Sequence, residues 1–230
     1  RAPEPPDIDR SSAQEPPYRG LEVFDEAHAE FYFGRDTDVQ HLLEMLKGSR
    51  FLAVIGPSGT GKSSLVRAGL ISALRGGQLP GSEHWRIAVT RPGAHPLASL
   101  AAELVRLDPA APMGPTLDRL SDDARTLDHV TRLLFDQSNP RGRLLLVVDQ
   151  FEEFFTLCHD EDERQRYIDT LLYAATVPDG RCLVVITLRA DFYPRCAAYP
   201  ELAALVGGQQ VLIGPLDREG LRAVIVEPAY

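Results

Sequence analysis

A glycine-rich turn between an apolar run and a helical stretch constrains this chain more than any other feature. The turn reads Gly-Pro-Ser-Gly-Thr-Gly-Lys-Ser over residues 56–63 and fits the pattern G-x-x-x-x-G-K-[ST]. Glycines let the backbone curl so that successive N–H groups point at phosphate oxygens, and the start of the next helix adds partial positive charge. Lys62 can reach the β- and γ-phosphates, and the Ser63 hydroxyl can ligate Mg²⁺. The turn therefore predicts a site for a nucleoside triphosphate.

Two other glycine motifs are excluded at this turn. Thr60 stands where a nucleophile elbow needs its second glycine. The run from Gly59 to Gly61 does not continue to the third glycine of a dinucleotide fingerprint. The predicted nucleotide-binding residues of the loop and the first helical turn are Gly56, Ser58, Gly59, Thr60, Gly61, Lys62, Ser63 and Ser64.

A second apolar run, residues 144–148, ends in Asp149, which can supply the carboxylate that a triphosphate-bound Mg²⁺ needs. The next residue, Gln150, is neutral, whereas many hydrolytic sites of this kind carry a glutamate there. Glu152 and Glu153 are the carboxylates available to polarise a water molecule, with Glu152 slightly favoured. The alternative is that both are solvated residues that open a helix, where acidic side chains complement the helix dipole.

An arginine follows a third apolar run. Residues 183–188 lead into Arg189, at the carboxyl end of a strand, where ligands bind in open α/β sheets. From there the guanidinium can contact a γ-phosphate, so Arg189 is predicted to take part in catalysis as a phosphate sensor. The alternative is an ion pair with Asp191.

Apolar runs and helical stretches alternate through the middle of the chain. The runs are 51–55, 86–90, 144–148, 183–188 and 210–213, and the helical stretches follow Asp36 or lie at about 62–74, 97–107, 117–135 and 163–175. Short runs rich in Val, Ile and Leu, separated by helices, are typical of a parallel sheet covered on both faces. We therefore expect an α/β three-layer sandwich with a five-stranded, mainly parallel sheet.

The two ends of the chain differ from this alternating part. Residues 1–17 are rich in proline and almost without large apolar residues, which predicts a linker. Near the other end, Asp217 predicts the N-cap of a short helix with apolar residues on one face. We expect one domain over residues 18–213 and the start of another helical unit over residues 214–230, in a fragment of a longer protein.

Composition restricts the partners of the chain. The 24 basic and 33 acidic residues give a net charge of −9, which argues against non-specific nucleic-acid binding because such binding neutralises phosphates. No apolar run approaches the roughly 18 residues of a membrane helix. The three cysteines match no metal-ligand spacing. These features indicate a reduced, cytoplasmic protein without a membrane partner.

Together these residues resemble a known class of nucleotide-binding proteins. Asp149 with acids three and four residues later, Thr-Leu-Arg at 187–189 and Gly-Pro-Leu at 214–216 are similar to the STAND class of signalling P-loop NTPases, related to the NACHT and NB-ARC proteins. Four further segments look like the bacterial "novel STAND" group, and the resemblance runs from about residue 17 to the end. Those segments are 17–21, 31–35, 149–154 and 188–193.

The resemblance implies roles for individual residues. Phe33, Gly34 and Arg35 match a box that lies against the adenine, and Pro215 matches a proline that packs on the base from the start of a helical lid. Arg189 matches the sensor arginine on the γ-phosphate. Family members bind ATP, often with slow hydrolysis, so the implied ligands are ATP or ADP with Mg²⁺.

The resemblance also implies partners, and the residues leave other functions open. Members of the class usually carry an effector domain before the NTPase and sensor repeats after it, and they form homo-oligomers when triggered. Residues 214–230 then correspond to the start of the lid. The alternatives are an AAA-like motor or loader ATPase, a small-molecule kinase and a non-hydrolysing scaffold. Gln150 and the acidic charge argue against the motor, and nothing in the sequence marks a kinase acceptor pocket.

Overall fold

A parallel sheet forms the centre of the molecule. The computed structural model describes residues 23–135, 139 and 141–227, so the predicted linker over residues 1–17 lies outside the described part. The strands are β1 (Phe51–Gly56), β2 (Arg86–Thr90), β3 (Leu144–Val148), β4 (Cys182–Arg189) and β5 (Gln210–Leu212). Their spatial order is β2-β3-β4-β1-β5, and every neighbouring pair in this sheet is parallel. The predicted α/β fold with a five-stranded sheet is confirmed.

Helices cover both faces of the sheet. They are α1 (Asp36–Gly48), α2 (Lys62–Ser64), α3 (Ile71–Arg75), α4 (Pro96–Leu107), α5 (Met113–Asp122), α6 (Thr126–Leu133), α7 (Glu152–Thr156), α8 (Glu161–Thr176), α9 (Pro200–Gly208) and α10 (Arg218–Val226). A π-helical segment, Leu65–Leu70, joins α2 to α3, and 3₁₀ segments lie at Glu26–Phe31, Ser82–His84 and Ala190–Ala198. In the described part of the chain, no helix has both the length and the apolar character that crossing a bilayer requires.

Successive side chains of each buried strand enter two different apolar cores. In β1, Leu52 and Val54 pack with α1 and the helical turns that follow the glycine-rich loop, whereas Phe51, Ala53 and Ile55 pack with the helices of the opposite face. Successive side chains of a strand point to opposite faces, and β1 and β3 are buried along their whole length. Burial on both faces explains why these strands read as continuous apolar runs.

The register brings the carboxyl ends of three strands to one edge of the sheet. Gly56 at the end of β1 lies opposite Arg189 at the end of β4. Strand β3 pairs in parallel with β4 on its other side, and Asp149 follows directly after it. The glycine-rich loop, Asp149 and Arg189 therefore share the edge at which ligands bind in open parallel sheets.

One predicted helix is divided in the structure. The stretch predicted over 117–135 forms two helices, α5 and α6, separated at Asp123, whose backbone is extended with a φ of −138° and a ψ of 115°. The Asp123 carboxylate accepts the Arg125 N–H at 2.9 Å and also pairs with the Arg125 guanidinium. An aspartate that bonds the backbone two residues on competes with helical hydrogen bonding. The apolar spacing therefore runs through a turn that periodicity alone does not reveal.

The short helix predicted after Asp217 is α10. The Asp217 carboxylate accepts the Gly220 N–H at 2.7 Å, which is the hydrogen bond of an N-cap. Two of the apolar side chains of α10, Leu221 and Ile225, are 50% and 64% exposed. The cap is confirmed, and one face of the helix is not covered by the described part of the chain.

Candidate functional site

The glycine-rich loop connects β1 to α2 and depends on left-handed backbone at two glycines. Gly59 and Gly61 have φ values of 78° and 81°, a region that L-residues rarely adopt. Gly56 meets a different restriction, because a side chain there would collide with the carbonyl oxygen of Ile213, the residue after β5. The Ser64 hydroxyl accepts the Phe24 N–H at 3.2 Å, which ties the helix after the loop to the segment before α1.

The Lys62 side chain lies over the loop that precedes it. Its ammonium donates to the carbonyl oxygens of Gly56 at 3.0 Å and Pro57 at 2.8 Å, and the residue is only 8% exposed. Burial lowers the pKa of the Lys62 amine, and the nearby Glu152 carboxylate is the largest influence that opposes this shift. The lysine is therefore held, partly desolvated, at the carboxyl end of β1.

The two carboxylate oxygens of Asp149 differ in their hydrogen bonds. Its Oδ1 accepts from the Ser63 hydroxyl at 2.6 Å, the Thr187 hydroxyl at 2.7 Å and the Gln150 N–H at 3.1 Å. Its Oδ2 is buried and has no hydrogen-bond partner in the described part of the chain. A buried carboxylate oxygen without a partner is costly, unless a cation or a donor from a ligand satisfies it.

The donor set around Asp149 fits Mg²⁺ completed by a phosphate ligand. Magnesium prefers oxygen ligands and is usually bound through one or two protein groups together with substrate phosphates and water. The Ser63 hydroxyl and the Asp149 carboxylate are such groups, and they are already in contact. Among residues 23–135, 139 and 141–227, no group of three or more His, Cys, Asp or Glu side chains could hold a metal ion. The metal would therefore require the phosphates.

Thr187 belongs to the Thr-Leu-Arg motif at 187–189, but the sequence alone indicated no role of its own for this residue in the site. It is 1% exposed and lies in β4, two residues before Arg189. Its hydroxyl donates to Asp149 and accepts the Gln150 N–H at 2.9 Å. A hydroxyl within an otherwise apolar strand was the available signal, because such a group must find a partner when it is buried.

The two candidate glutamates point in different directions. Glu152 lines the cavity described below, and its Oε2 accepts the Arg189 N–H at 3.3 Å. Glu153 does not line this cavity; its Oε2 accepts the Gly93 N–H at 3.3 Å, in the loop after β2. The geometry therefore places Glu152, and not Glu153, in the cavity with Lys62.

Arg189 already has a carboxylate partner. Its Nε and Nη2 donate to the two oxygens of Asp191 at 3.1 and 2.7 Å, and its guanidinium lies 5.4 Å from the centre of the Phe192 ring. The hydrogen bond from Arg189 lowers the pKa of the Asp191 carboxyl. Arg189 nevertheless lines the cavity. The ion pair considered as the alternative is present, and it leaves three of the five guanidinium N–H groups for another acceptor.

A cavity of about 400 Å³ joins the loop to an apolar wall. Its lining residues are Val23, Phe24, Phe31, Tyr32, Phe33, Arg35, Ser58, Gly59, Thr60, Gly61, Lys62, Ser63, Ser64, Gln150, Glu152, Thr187, Arg189, Leu216 and Val224. One end is polar and lies on the glycine-rich loop, whereas the other is aromatic and aliphatic. Burial raises the pKa of the Tyr32 hydroxyl at this apolar end. The cavity thus has hydrogen-bond donors for an anionic group at one end and an apolar wall for a flat ring at the other.

Residues after β5 contribute to this wall, but the proline expected to pack on the base is not among them. Pro215 is exposed and does not line the cavity. Leu216, the next residue, and Val224 of α10 supply the apolar surface instead. The alternation of side-chain direction at the start of a short segment could not be fixed from the sequence.

The residues of the box at 33–35 differ in how they lie relative to the cavity. The Arg35 guanidinium lines the cavity, donates to the carbonyl oxygens of Thr60 at 3.1 Å and Gly214 at 2.9 Å, and pairs with Asp38. Gly34 does not line the cavity and has a φ of 79°. Arg35 therefore links the glycine-rich loop to Gly214, after β5. Phe33 is the aromatic member of the box that lines the cavity.

Comparisons with known proteins agree with this geometry. A model of the protein family described as Novel STAND NTPase 1 matches residues 17–230. No curated protein matches the sequence significantly. The structure is similar to that of the ORC2 protein of Aeropyrum pernix in its ADPNP–ADP complexes, with a TM-score of 0.57 and 16% identity over 90% of this chain and 56% of that chain. It is also similar to the Walker-type ATPase PABY2304 of Pyrococcus abyssi, with a TM-score of 0.51 and 14% identity over 87% of this chain and 58% of that chain.

These structural similarities concern the fold alone, because identities this low do not carry function. The chain spans little more than half the length of either protein. The family match, in contrast, covers the loop, Asp149, Arg189 and residues 214–230.

Proposed function

The chain belongs to the novel STAND NTPase 1 family, and from this premise we propose that it is the ATP-binding switch module of a bacterial signalling protein. The module binds ATP with Mg²⁺, hydrolyses it slowly and controls nucleotide-dependent homo-oligomerisation in signalling or defence. The observation that carries the proposal is the Asp149 carboxylate. One oxygen is saturated by hydrogen bonds, including that from Ser63, and the other is buried without a partner in the described part of the chain.

The two ends of the cavity support a nucleotide as the ligand. At the loop end, curled backbone and the Lys62 ammonium suit phosphate groups. At the other end, Phe24, Phe31, Tyr32 and Phe33 offer ring faces and edges against which a planar base can pack. We propose adenine as the base because Phe33 belongs to the box that matches the family.

Mg²⁺ would be held by the Ser63 hydroxyl and the Asp149 carboxylate, with phosphate oxygens as its other ligands. When bound, the ion neutralises charge on the β- and γ-phosphates. Thr187 orients Asp149 by donating to Oδ1, which leaves Oδ2 free for an incoming ligand. This arrangement supports binding of the nucleotide and the metal together.

Glu152 is the residue that we propose to accept a proton from the attacking water. It lines the cavity, and the Arg189 N–H holds its carboxylate at 3.3 Å. Gln150, directly after Asp149, cannot accept a proton at neutral pH. The presence of an amide at this position supports slow turnover rather than the rapid cycling of a motor.

The switch requires more than the sensor arginine. A charge-assisted hydrogen bond is worth roughly 1.5–3 kcal/mol, whereas moving an equilibrium from 1:99 to 99:1 takes about 5.5 kcal/mol of differential binding. Arg189 also shares its donors with Asp191, which leaves three of its five N–H groups for a phosphate. We therefore propose that lid contacts through Leu216 and Val224, and contacts between subunits of the full-length protein, supply the remainder.

Of the alternatives, the motor or loader ATPase acting on nucleic acid is opposed by the net charge of −9. DNA-stimulated turnover would favour that alternative, and phosphate transfer to an added metabolite would favour a kinase. Tight ATP binding without phosphate release would favour a non-hydrolysing scaffold.

The first experiment is calorimetry of the protein with MgATP, MgADP and MgGTP, together with a Lys62→Ala variant. We expect ATP and ADP to bind in preference to GTP. Loss of Lys62 should weaken ATP binding and lower any hydrolysis by roughly 10²–10³-fold, as for loss of one key charge-stabilising donor.

The chain offers a matched control for this substitution. Lys47 is the only other lysine in the sequence, and it is exposed and paired with Glu44 on α1. Lys47→Ala should leave binding unchanged. No heat of association with millimolar MgATP, or equal affinity in the wild type and Lys62→Ala, would contradict the proposed function.

A further inference from the structure

Gln150 has a strained backbone at the centre of the site. Its φ is 54°, and among the described residues only Asp179, with a φ of 55°, is another non-glycine residue with positive φ. Aspartate and asparagine tolerate the left-handed region better than longer side chains do. Asp179 is exposed in the connection between α8 and β4, far from the cavity in the chain. Gln150 is therefore the residue whose positive φ is not explained by its residue type or by an exposed turn.

Hydrogen bonds on both sides hold Gln150 in this conformation. Its N–H points at Asp149 Oδ1 at 3.1 Å and at the Thr187 hydroxyl at 2.9 Å. Its carbonyl oxygen accepts the Glu153 N–H at 2.9 Å, and the next N–H, that of Phe151, bonds to the Thr187 carbonyl at 2.8 Å. Strained conformations persist where the surroundings over-determine them, and they cluster at functional sites.

Gln150 lies at the wall of the cavity. Gln150 lines the cavity together with Glu152, Lys62 and Arg189. Its side-chain amide makes none of the hydrogen bonds found among the described residues, since only its backbone groups do so. A polar amide held at the phosphate end of a cavity, with its hydrogen-bonding capacity unused, is available to a ligand or a water molecule.

We propose that the Gln150 amide orients the water that attacks the γ-phosphorus, an inference that rests on the proposed function. The amide carbonyl accepts a hydrogen bond from the water, and the NH₂ group can donate to a phosphate oxygen. Lys62 and the loop N–H groups already supply donors for the phosphates, whereas the water needs acceptors. Gln150 and Glu152 are the residues of the lining that carry a side-chain amide or carboxylate.

The two residues then divide the hydrolytic step. A bond forms between the water oxygen and the γ-phosphorus while the bond from that phosphorus to the β–γ bridging oxygen breaks. One proton of the water passes to the Glu152 carboxylate, the other stays on the phosphate formed, and ADP leaves with the bridging oxygen. Gln150 fixes the direction of attack and takes up no proton.

The test compares Gln150→Gly with Asp179→Gly, which removes a strained side chain away from the site. We expect both variants to melt at or slightly above the wild-type temperature, because glycine adopts positive φ without steric cost. Gln150→Gly should bind MgATP within about threefold of the wild type, yet its kcat should fall on the order of 10²-fold, the effect of a misplaced reactant. Asp179→Gly should keep both constants.

Calorimetry, phosphate-release kinetics and thermal unfolding provide the three measurements. Gln150→Asn is a second variant that tolerates left-handed backbone but carries the amide one methylene closer to the chain, and its kcat should also fall. A kcat of either Gln150 variant within twofold of the wild type would overturn the inference. So would a loss seen equally in Asp179→Gly, or a loss in MgATP affinity as large as that in kcat.

The wild type separates this inference from the function on which it rests. Wild-type protein that binds MgATP but releases no phosphate would overturn the role of Gln150 and leave nucleotide binding intact. Wild-type protein that does not bind MgATP would overturn both.

Discussion

Gly34 and Gly220 meet backbone to backbone, and neither has room for a side chain. A Cβ built on Gly34 would lie 2.5 Å from the Gly220 carbonyl oxygen, and one built on Gly220 would lie 2.7 Å from the Gly34 carbonyl oxygen. The first residue precedes α1 and the second lies in the first turn of α10. The contact therefore fixes α10 against the segment that carries Phe33 into the cavity.

Gly220→Ala should displace α10 and weaken nucleotide binding, because Val224 of that helix lines the apolar end of the cavity. Overpacking of this kind typically costs about 1–3 kcal/mol. Hydrogen exchange over residues 214–227 should accelerate, and calorimetry should give a lower ATP affinity. Gly114→Ala is the control, since Gly114 lies in α5 with no atom within 4 Å of a built Cβ. Equal exchange rates and equal ATP affinities in the two variants would show that the contact between Gly34 and Gly220 does not hold α10 in place.

Glu152→Gln should slow ATP turnover by about 10²-fold or more, the usual contribution of a general base, while ATP affinity is retained. Glu153→Gln should change turnover by less than about threefold, because the Glu153 carboxylate bonds to Gly93 and does not line the cavity. Phosphate release at saturating MgATP measures both effects. A larger loss in Glu153→Gln would transfer the role to that residue.

Thr187→Val should raise the Mg²⁺ concentration needed for half-maximal nucleotide binding by about tenfold or more, as loss of a residue that orients a metal ligand does. The substitution removes a hydroxyl that donates to Asp149. Nucleotide binding without Mg²⁺ should be unchanged. Thr170→Val removes another buried hydroxyl, which bonds to the Arg166 carbonyl within α8. If that variant shifts the Mg²⁺ titration equally, general destabilisation explains both.

The cysteine thiols should be unreactive in the native protein. Cys158, Cys182 and Cys196 are buried, and burial raises the pKa of Cys182 to about 12 and of Cys196 to about 11. A thiol reagent at pH 8 should therefore label the protein only slowly, whereas all three thiols should react in denaturant. Rapid labelling of the folded protein would contradict this burial.

The same shifts make stability depend on pH in a defined direction. Unfolded thiols ionise at about pH 8.5, whereas the folded thiols of Cys182 and Cys196 stay protonated to higher pH. The native state then binds more protons, so the free energy of unfolding should fall as pH rises above about 8.5. Urea unfolding at pH 7.5 and 9.5 measures the change, and Cys182→Ala should reduce it.

Much of the architecture could be predicted because it is encoded in short stretches. The run 144–148 reads as a buried strand and forms β3 over those same residues, since burial on both faces removes the polar alternation. The turn over residues 56–63 could be predicted because its glycines allow the positive φ values that the loop adopts. Asp217 caps α10 through a hydrogen bond with a residue only three positions later. Such local features need no knowledge of distant neighbours.

Other features depend on contacts that spacing does not encode. Thr187 meets Asp149 across 38 residues of sequence, and Arg35 meets Gly214 across 179. Glu152 and Glu153 are adjacent, yet the fold turns only the first into the cavity. The left-handed backbone of Gln150 follows from the bonds around it, because the residue type itself disfavours that conformation.

The fork between Arg189 and Asp191 has a consequence for how the domain responds to anions. Two N–H groups of Arg189 are bound to a carboxylate two residues away, so an arriving anion meets an arginine whose orientation Asp191 has already set. Three N–H groups remain for that anion. Asp191 therefore determines the direction from which Arg189 can approach a ligand.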